Sequence, residues 1–97
     1  MNLFETEGYK MLVKSLVLID NEEECARFLE DLMTRKEIAD IAQRILVAKM
    51  LSEQAVYTKI VEETGASTAT ISRVNRSFLY GAGGYSQALA KLREEEK

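Results

Sequence analysis

The chain has 97 residues, of which 46% are hydrophobic and 30% charged, and its formal net charge at pH 7 is −3. That length is enough for one domain with a single core, so we expect residues 1–97 to form one domain. The single cysteine and the absence of histidine exclude an intrachain disulfide, a Cys/His zinc site and a histidine-dependent catalytic pair. The sequence also lacks proline, the commonest helix breaker, which favours an all-α fold.

The first predicted helix spans about residues 3–19 and is apolar nearly all the way round. Its apolar residues are Met11, Leu12, Val13, Leu16, Val17, Leu18 and Ile19. A helix that is apolar on every side must be buried on every side, and one chain of this length can hardly surround it. We therefore expect a homodimer in which residues 1–52 supply the dimerisation helices. The residues that we expect to contact the partner chain are Leu12, Leu16, Ile19, Phe28 and Leu32.

Two more helices are predicted before residue 52. Asn21 followed by Glu24 is typical of a helix start and predicts a helix over about 22–33. Its apolar stripe consists of Cys25, Phe28, Leu29 and Leu32. The sequence from Thr34 to Glu37 matches a capping box, which predicts a long helix that ends near residue 52. Its predicted buried face, spaced by three and four residues, consists of Ile38, Ile41, Ile45, Ala48 and Leu51.

Residues 56–79 have the layout of a helix-turn-helix, with helices predicted over about 56–63 and 68–79. Gly65 lies where the turn requires a residue that tolerates positive φ. Ser67 is a favourable N-cap for the second helix. Apolar residues on both sides of the turn allow the two helices to pack together: Ile60, Val61, Ile71 and Val74.

The C-terminal part of the chain differs in charge from the rest. A last helix is predicted over 84–95, and its inward residues are expected to be Ala88, Leu89 and Leu92. Residues 64–93 contain four basic side chains and no acidic one. A local positive field of this kind can bind phosphate even on an acidic chain, because salt confines charge effects to about 10 Å.

The second helix of the helix-turn-helix presents small, polar and basic residues on its predicted outer surface. Small side chains let a backbone approach the major groove, hydroxyls reach phosphates or base edges, and arginine can bind guanine through two hydrogen bonds. Double-stranded DNA is therefore the expected partner. The candidate DNA-binding residues are Ser67, Thr68, Ala69, Thr70, Ser72, Arg73 and Arg76.

The segment from Gly65 to Arg73, GASTATISR, resembles the turn and recognition helix of the tryptophan repressor superfamily. Over about residues 3–93 the chain is similar to the YerC/YecD branch of that superfamily. This resemblance implies a six-helix fold, an intertwined homodimer, an outward-facing helix-turn-helix and the function of a transcriptional repressor. Further motifs that carry the resemblance are Leu32–Ile38, Ala42-Gln43-Arg44, Asn75-Arg76, Tyr80-Gly81 and Gly83-Gly84-Tyr85.

The chain departs from the tryptophan repressors at one position that bears on ligand binding. In those proteins the arginine that matches Arg73 is followed by glycine, which leaves room for the indole ring of the corepressor. Here the next residue is Val74, and overpacking of this kind costs about 1–3 kcal/mol. We therefore expect no tryptophan corepressor. We also expect no other cofactor and no metal, and the sequence identifies no other small-molecule effector.

Two functions are left open by the sequence. The leading hypothesis is a dimeric, sequence-specific regulator that binds double-stranded DNA, and the alternative is a helical dimer that acts through other proteins without binding DNA. RNA binding is disfavoured, because recognition of unpaired bases usually uses exposed aromatic rings or arginine planes and the only aromatic candidates nearby are Tyr57 and Tyr80. We expect no catalytic residues, because adjacent carboxylates such as those of Glu22–Glu24 diverge by about 100° on a helix.

The expected location is the cytoplasm, with no membrane partner. The first seven residues are acidic, whereas a signal peptide begins with basic residues. The longest apolar stretch, Met11–Ile19, is far shorter than the roughly 20 residues that cross a bilayer. The lone thiol of Cys25 is expected to be a half-buried core group in a reducing compartment.

Overall fold

The computed structural model describes residues 2–96, over which the chain forms six α-helices, one short 3-10 helix and no strand. This confirms the all-α fold. None of the described helices combines the length and apolar content that a membrane crossing requires. The elements are a 3-10 helix (Leu3–Glu5), α1 (Glu7–Leu18), α2 (Glu22–Leu32), α3 (Arg35–Ser52), α4 (Tyr57–Thr64), α5 (Thr68–Tyr80) and α6 (Gly84–Glu95).

The prediction of one continuous helix over 3–19 was wrong at its start. Thr6 is extended, with ψ 148°, and it separates the 3-10 helix from α1. The Thr6 hydroxyl oxygen accepts a hydrogen bond from the backbone N–H of Tyr9 at 3.2 Å. This bond satisfies one of the N–H groups that a helix leaves without an internal partner at its start, so α1 begins at Glu7.

The predicted start signals of α2 and α3 are confirmed. The Asn21 side-chain oxygen accepts a hydrogen bond from the Glu24 N–H at 2.8 Å. At the start of α3, the Glu37 N–H donates to the Thr34 hydroxyl at 3.1 Å, and the Thr34 N–H donates to the Glu37 carboxylate at 2.9 Å. The reciprocal pair is the geometry of a capping box.

The described residues form two compact units that divide within α3, between Ile38 and Ala39. In the first unit no residue of α1 or α2 is fully buried. Val17 and Leu18 are 71% and 67% exposed, so the chain alone does not cover the apolar surface of α1. Among the predicted dimerisation residues, Leu12, Ile19 and Phe28 are half-buried. The other two, Leu16 and Leu32, are exposed.

The second unit contains the buried core, to which α3, α4, α5 and α6 all contribute. Its buried residues are Val47, Ala48, Met50, Ile60, Ala66, Ile71, Val74 and Leu89. The predicted face of α3 was partly wrong, because Ile41 and Ile45 are 39% and 45% exposed whereas Val47 is fully buried. Ile45 and Val47 are separated by about 200° around the helix, and the core lies on the side of Val47.

The predicted packing of two other residue groups was also partly wrong. Val61 is exposed, since it lies about 100° around α4 from the buried Ile60. In α6 only Leu89 of the three predicted inward residues is buried, whereas Ala88 and Leu92 are exposed. Ala88 and Leu92 line, together with Ile45, an open and mainly apolar groove of about 460 Å³.

The link between α5 and α6 depends on two glycines for different reasons. The N–H of Gly81 donates to the Ser77 carbonyl at 2.9 Å, and a Cβ at Gly81 would overlap that same carbonyl oxygen. Gly83 has φ +87°, which L-residues with a side chain rarely adopt. By contrast, a Cβ added at Gly84 meets no atom within 4 Å.

Gly81→Ala is therefore expected to lower the free energy of unfolding by about 1–3 kcal/mol, the usual cost of overpacking. Gly84→Ala is the matched control, and it should leave stability unchanged or raise it by up to about 1 kcal/mol, because alanine loses less backbone entropy than glycine. Urea denaturation followed by circular dichroism measures both. Equal effects of the two substitutions would contradict the close approach at Gly81.

Candidate nucleic-acid interface

The turn between α4 and α5 is held by a compact set of local hydrogen bonds. Gly65 has φ 73° and ψ 4°, as the glycine position of the turn requires, and its N–H donates to the Val61 carbonyl at 2.9 Å. The Thr64 hydroxyl donates to the Ile60 carbonyl at 2.7 Å and accepts from the Ala66 N–H at 3.1 Å. Thr64 therefore fixes the turn on both sides of Gly65, a role that was not predicted from the sequence.

Ser67 caps α5 as predicted. Its hydroxyl oxygen accepts from the Thr70 N–H at 3.1 Å, and its backbone carbonyl accepts from the Ile71 N–H at 3.0 Å. The Ser67 hydroxyl also donates to the Thr70 hydroxyl at 3.0 Å. The Ser67 hydroxyl therefore marks the start of α5, and the Thr70 hydroxyl is bonded to it.

Two buried residues determine which side of α5 faces outward. Ile71 and Val74, spaced by three, are 0% and 2% exposed and hold one side of the helix on the core. Among the seven candidate DNA-binding residues, only Thr70 is half-buried rather than exposed, because it lies beside the Ser67 cap. The other six, which form the surface defined here as the α5 outer face, are Ser67, Thr68, Ala69, Ser72, Arg73 and Arg76.

The α5 outer face carries positive charge that no described acidic residue neutralises. Arg73 and Arg76 lie on the same side of the helix, since residues three apart are neighbours on a helix surface. Neither guanidinium forms an ion pair with another residue in the range 2–96. On α4, the acidic Glu63 is instead paired with Lys59, with an N–O distance of 3.9 Å. The guanidinium groups of α5 can therefore bind an anion or a base edge.

One contact to this region connects residues that are far apart in sequence. The side-chain amide nitrogen of Gln43, on α3, donates to the Thr64 carbonyl at 3.0 Å across a separation of 21 residues. Gln43 belongs to a motif that carries the family resemblance, but this contact was not predicted from the sequence. No local pattern predicts it, because it depends on the packing of α3 against the turn.

The described residues contain no evident metal site, and the position of Val74 has no free space. No cluster of three or more potential metal ligands occurs over residues 2–96. The Val74 side chain is 2% exposed and belongs to the core. The position after Arg73 is therefore occupied by a packed side chain.

Comparisons with known proteins place this geometry in a family. The family model of the Trp repressor protein matches residues 7–93. The chain is 51% identical over 85 residues to the uncharacterised protein YerC of Bacillus subtilis (strain 168), a match that covers 88% of this chain and 82% of YerC.

Two solved structures have the same fold. A crystallised candidate Trp repressor from Staphylococcus aureus is 38% identical, with a TM-score of 0.87 over 96% of both chains. A TrpR-like protein from Eubacterium eligens is 43% identical, with a TM-score of 0.89 over 95% of both chains. These similarities confirm the Trp-repressor-like fold and the YerC relationship. The chain belongs to the Trp repressor family, whose members are transcription regulators and not enzymes.

Proposed function

We propose that this protein is a sequence-specific regulator of transcription that binds double-stranded DNA as a homodimer and acts as a repressor. The observation that carries the proposal is the α5 outer face, which is exposed, free of acidic residues and held on the core by Ile71 and Val74. Membership of the Trp repressor family supports the same conclusion.

In this proposal α5 is the recognition helix and enters the major groove. The small side chains of Ala69 and Ser72 let the helix axis approach the base pairs, and the hydroxyls donate to phosphates or base edges. Arg73 and Arg76 supply the charge, either to phosphates or to guanine through two parallel hydrogen bonds. Phosphate contacts would fix the orientation, while base contacts would select the sequence.

The proposed dimer is supported by apolar surface that one chain leaves exposed. The surface includes most of α1 and, in the second unit, the groove lined by Ile45 and Leu92. Each of these exposed apolar surfaces is of a kind that is uncommon on monomers and typical of interfaces. Two-fold symmetry would also present two copies of α5 to successive major grooves, about 34 Å apart on B-DNA.

Arg73→Ala and Arg76→Ala are expected to weaken binding to a duplex selected from a random pool by about 1–3 kcal/mol each, without loss of helicity. Loss of a phosphate contact would lower affinity for all duplexes and reduce the salt dependence, whereas loss of a guanine contact would relax selectivity at one position. Fluorescence anisotropy at several salt concentrations measures both. Arg27→Ala on α2 is the control for a change of one positive charge, and its affinity should equal that of the wild type.

A different result would favour the alternative function. If the wild type and both arginine variants bound every duplex equally weakly at low salt, the helix-turn-helix would not bind DNA in a sequence-specific manner. The exposed apolar residues of α1, such as Val17 and Leu18, would then favour a helical dimer that acts through other proteins.

Leu16→Asp tests the proposed dimer. Leu16 is 44% exposed in the single chain, and a substitution at an exposed site usually changes stability by no more than about 0.5 kcal/mol. In the dimer it would bury an unpaired carboxylate, so the variant is expected to unfold rather than to give a folded monomer. Sedimentation and circular dichroism at micromolar concentration measure this, with the exposed Lys10→Asp as control. A helical, monomeric Leu16→Asp protein would contradict the intertwined dimer.

We also propose that L-tryptophan is not a corepressor of this protein, because the buried Val74 side chain fills the position next to Arg73. A ligand that binds the folded state stabilises it by about 2.7 kcal/mol when it is at a hundredfold excess over its Kd. Because we expect tryptophan not to bind, millimolar tryptophan should leave the melting temperature and the DNA affinity of the wild type unchanged. Val74→Gly, scored against its own ligand-free baseline, tests whether removing the side chain creates a response. A wild-type melting shift of several degrees would disprove the claim.

A further inference from the structure

Gln43 reaches from α3 to the turn of the helix-turn-helix. Its side-chain amide donates to the Thr64 carbonyl at 3.0 Å, and both residues are half-buried. Thr64 is the last residue of α4, and the left-handed Gly65 follows it directly. The amide therefore satisfies a carbonyl at a helix end, where carbonyl groups lack partners within the helix.

This bond acts on a residue that other hydrogen bonds already connect to both sides of the turn. The Thr64 hydroxyl bonds to the carbonyl of Ile60 and to the N–H of Ala66, so the Thr64 backbone moves together with the residues on both sides. A displacement of the Thr64 carbonyl would thus be transmitted to the start of α5. Gln43 holds that carbonyl from α3, outside the helix-turn-helix.

The apolar core holds the same helices but constrains their direction less. Val47, Ile60 and Ile71 are fully buried and join α3, α4 and α5, yet apolar attraction is non-directional. A hydrogen bond restricts both distance and angle. The Gln43 amide therefore limits rotation or sliding of the turn that the apolar contacts alone would tolerate.

Small changes in direction are large on the scale of base recognition. A helix of 13 residues such as α5 is about 20 Å long, so a tilt of about 5° moves its far end by roughly 1.7 Å. Donor–acceptor distances in hydrogen bonds vary by only about 0.5 Å. Arg76 lies about 12 Å from the start of α5, so the same tilt moves it by roughly 1 Å, which is enough to break its contacts.

We propose that Gln43 is a positioning residue for DNA recognition: its hydrogen bond to the Thr64 carbonyl sets the direction of α5 relative to α3. This inference rests on the proposed function and adds to it a determinant of specificity that lies outside the helix-turn-helix. Gln43 does not itself touch DNA in this proposal. It acts through the turn, so its loss affects sequence-specific binding while the charge on α5 stays unchanged.

The first test replaces Gln43 by methionine, which has a similar length but no donor. Affinity for the selected duplex is expected to fall about fivefold to tenfold, the range expected from one lost hydrogen bond. Affinity for a random duplex and the salt dependence should not change, because no phosphate contact is lost. Gln87→Met, at an exposed position of α6, is the matched control and should behave as the wild type.

Hydrogen exchange of the DNA-free protein provides a second readout. The amide protons of Gly65 and Ala66 should exchange faster in Gln43→Met than in the wild type, while amides of α6 should be unaffected. This measurement reports the turn directly and does not depend on DNA. Unchanged exchange at both amides would overturn the proposal.

Gln43→Glu adds a pH-dependent test of the same bond. Only the protonated carboxyl can donate to the Thr64 carbonyl, so this contact raises the pKa of the introduced carboxyl above its ordinary value of about 4.3. At about pH 8 the ionised side chain lacks a donor and binding should be weak. Relative to the wild type, affinity should recover as the pH falls toward the raised pKa of this carboxyl, whereas Gln43→Met should show no recovery.

The outcomes separate the two proposals. If the wild type prefers no duplex, the proposed function itself fails. If the wild type is selective and Gln43→Met keeps full selectivity, only the positioning role is overturned. A lower melting temperature with unchanged affinity of the folded variant would likewise show a purely structural role and overturn the positioning proposal.

Discussion

The arrangement of α4, the turn at Gly65 and α5 depends on the mutual burial of Val47, Ile60 and Ile71, which are the largest fully buried side chains in the described chain. They come from α3, α4 and α5 and belong to one buried cluster, so the same apolar core holds α5, the preceding α4 and the long helix α3. A fully buried aliphatic side chain contributes about 1.5–3 kcal/mol. The polar surface of α5 needs no stabilising partners of its own because the opposite side of the helix is anchored in this way.

Polar contacts complete what the apolar core leaves undefined. The Ser67 hydroxyl determines where α5 begins, and the Thr64 hydroxyl joins both sides of the turn. At the other end of the unit, the Arg93 guanidinium donates to the Ser52 hydroxyl at 2.6 Å, connecting α6 to the end of α3. Together with Gln43, these side chains give direction to helices that apolar packing holds together.

The features that could be predicted from the sequence are those that depend on neighbouring residues. The caps at Asn21, Thr34 and Ser67 and the left-handed Gly65 follow from short-range patterns, and all four are confirmed. The buried face of α3 could not be predicted in full, because periodicity identifies an apolar stripe without indicating which neighbour covers it. For the same reason, the choice of Val47 over Ile45 depends on where α4 and α5 pack.

Long-range polar contacts were the larger omission in the candidate site. The Gln43–Thr64 bond spans 21 residues, and neither residue has a local signal that distinguishes it from other polar residues on a helix. The exposed surface of α5 was easier to predict, since the buried Ile71 and Val74 fix the orientation of a regular helix. Thr70 is the exception, because its contact with the Ser67 hydroxyl depends on the detailed geometry of the cap.

The buried Val74 has a consequence for how a regulator of the proposed kind would respond to the cell. A corepressor acts by changing the fraction of molecules that are competent to bind, and the apparent affinity is reduced by that fraction when the ligand is absent. The Val74 side chain, unlike a bound corepressor, is present in every molecule of the protein. In the proposed regulator tryptophan would not alter the competent fraction, so operator occupancy would not follow the tryptophan concentration and would change with the concentration of the protein itself.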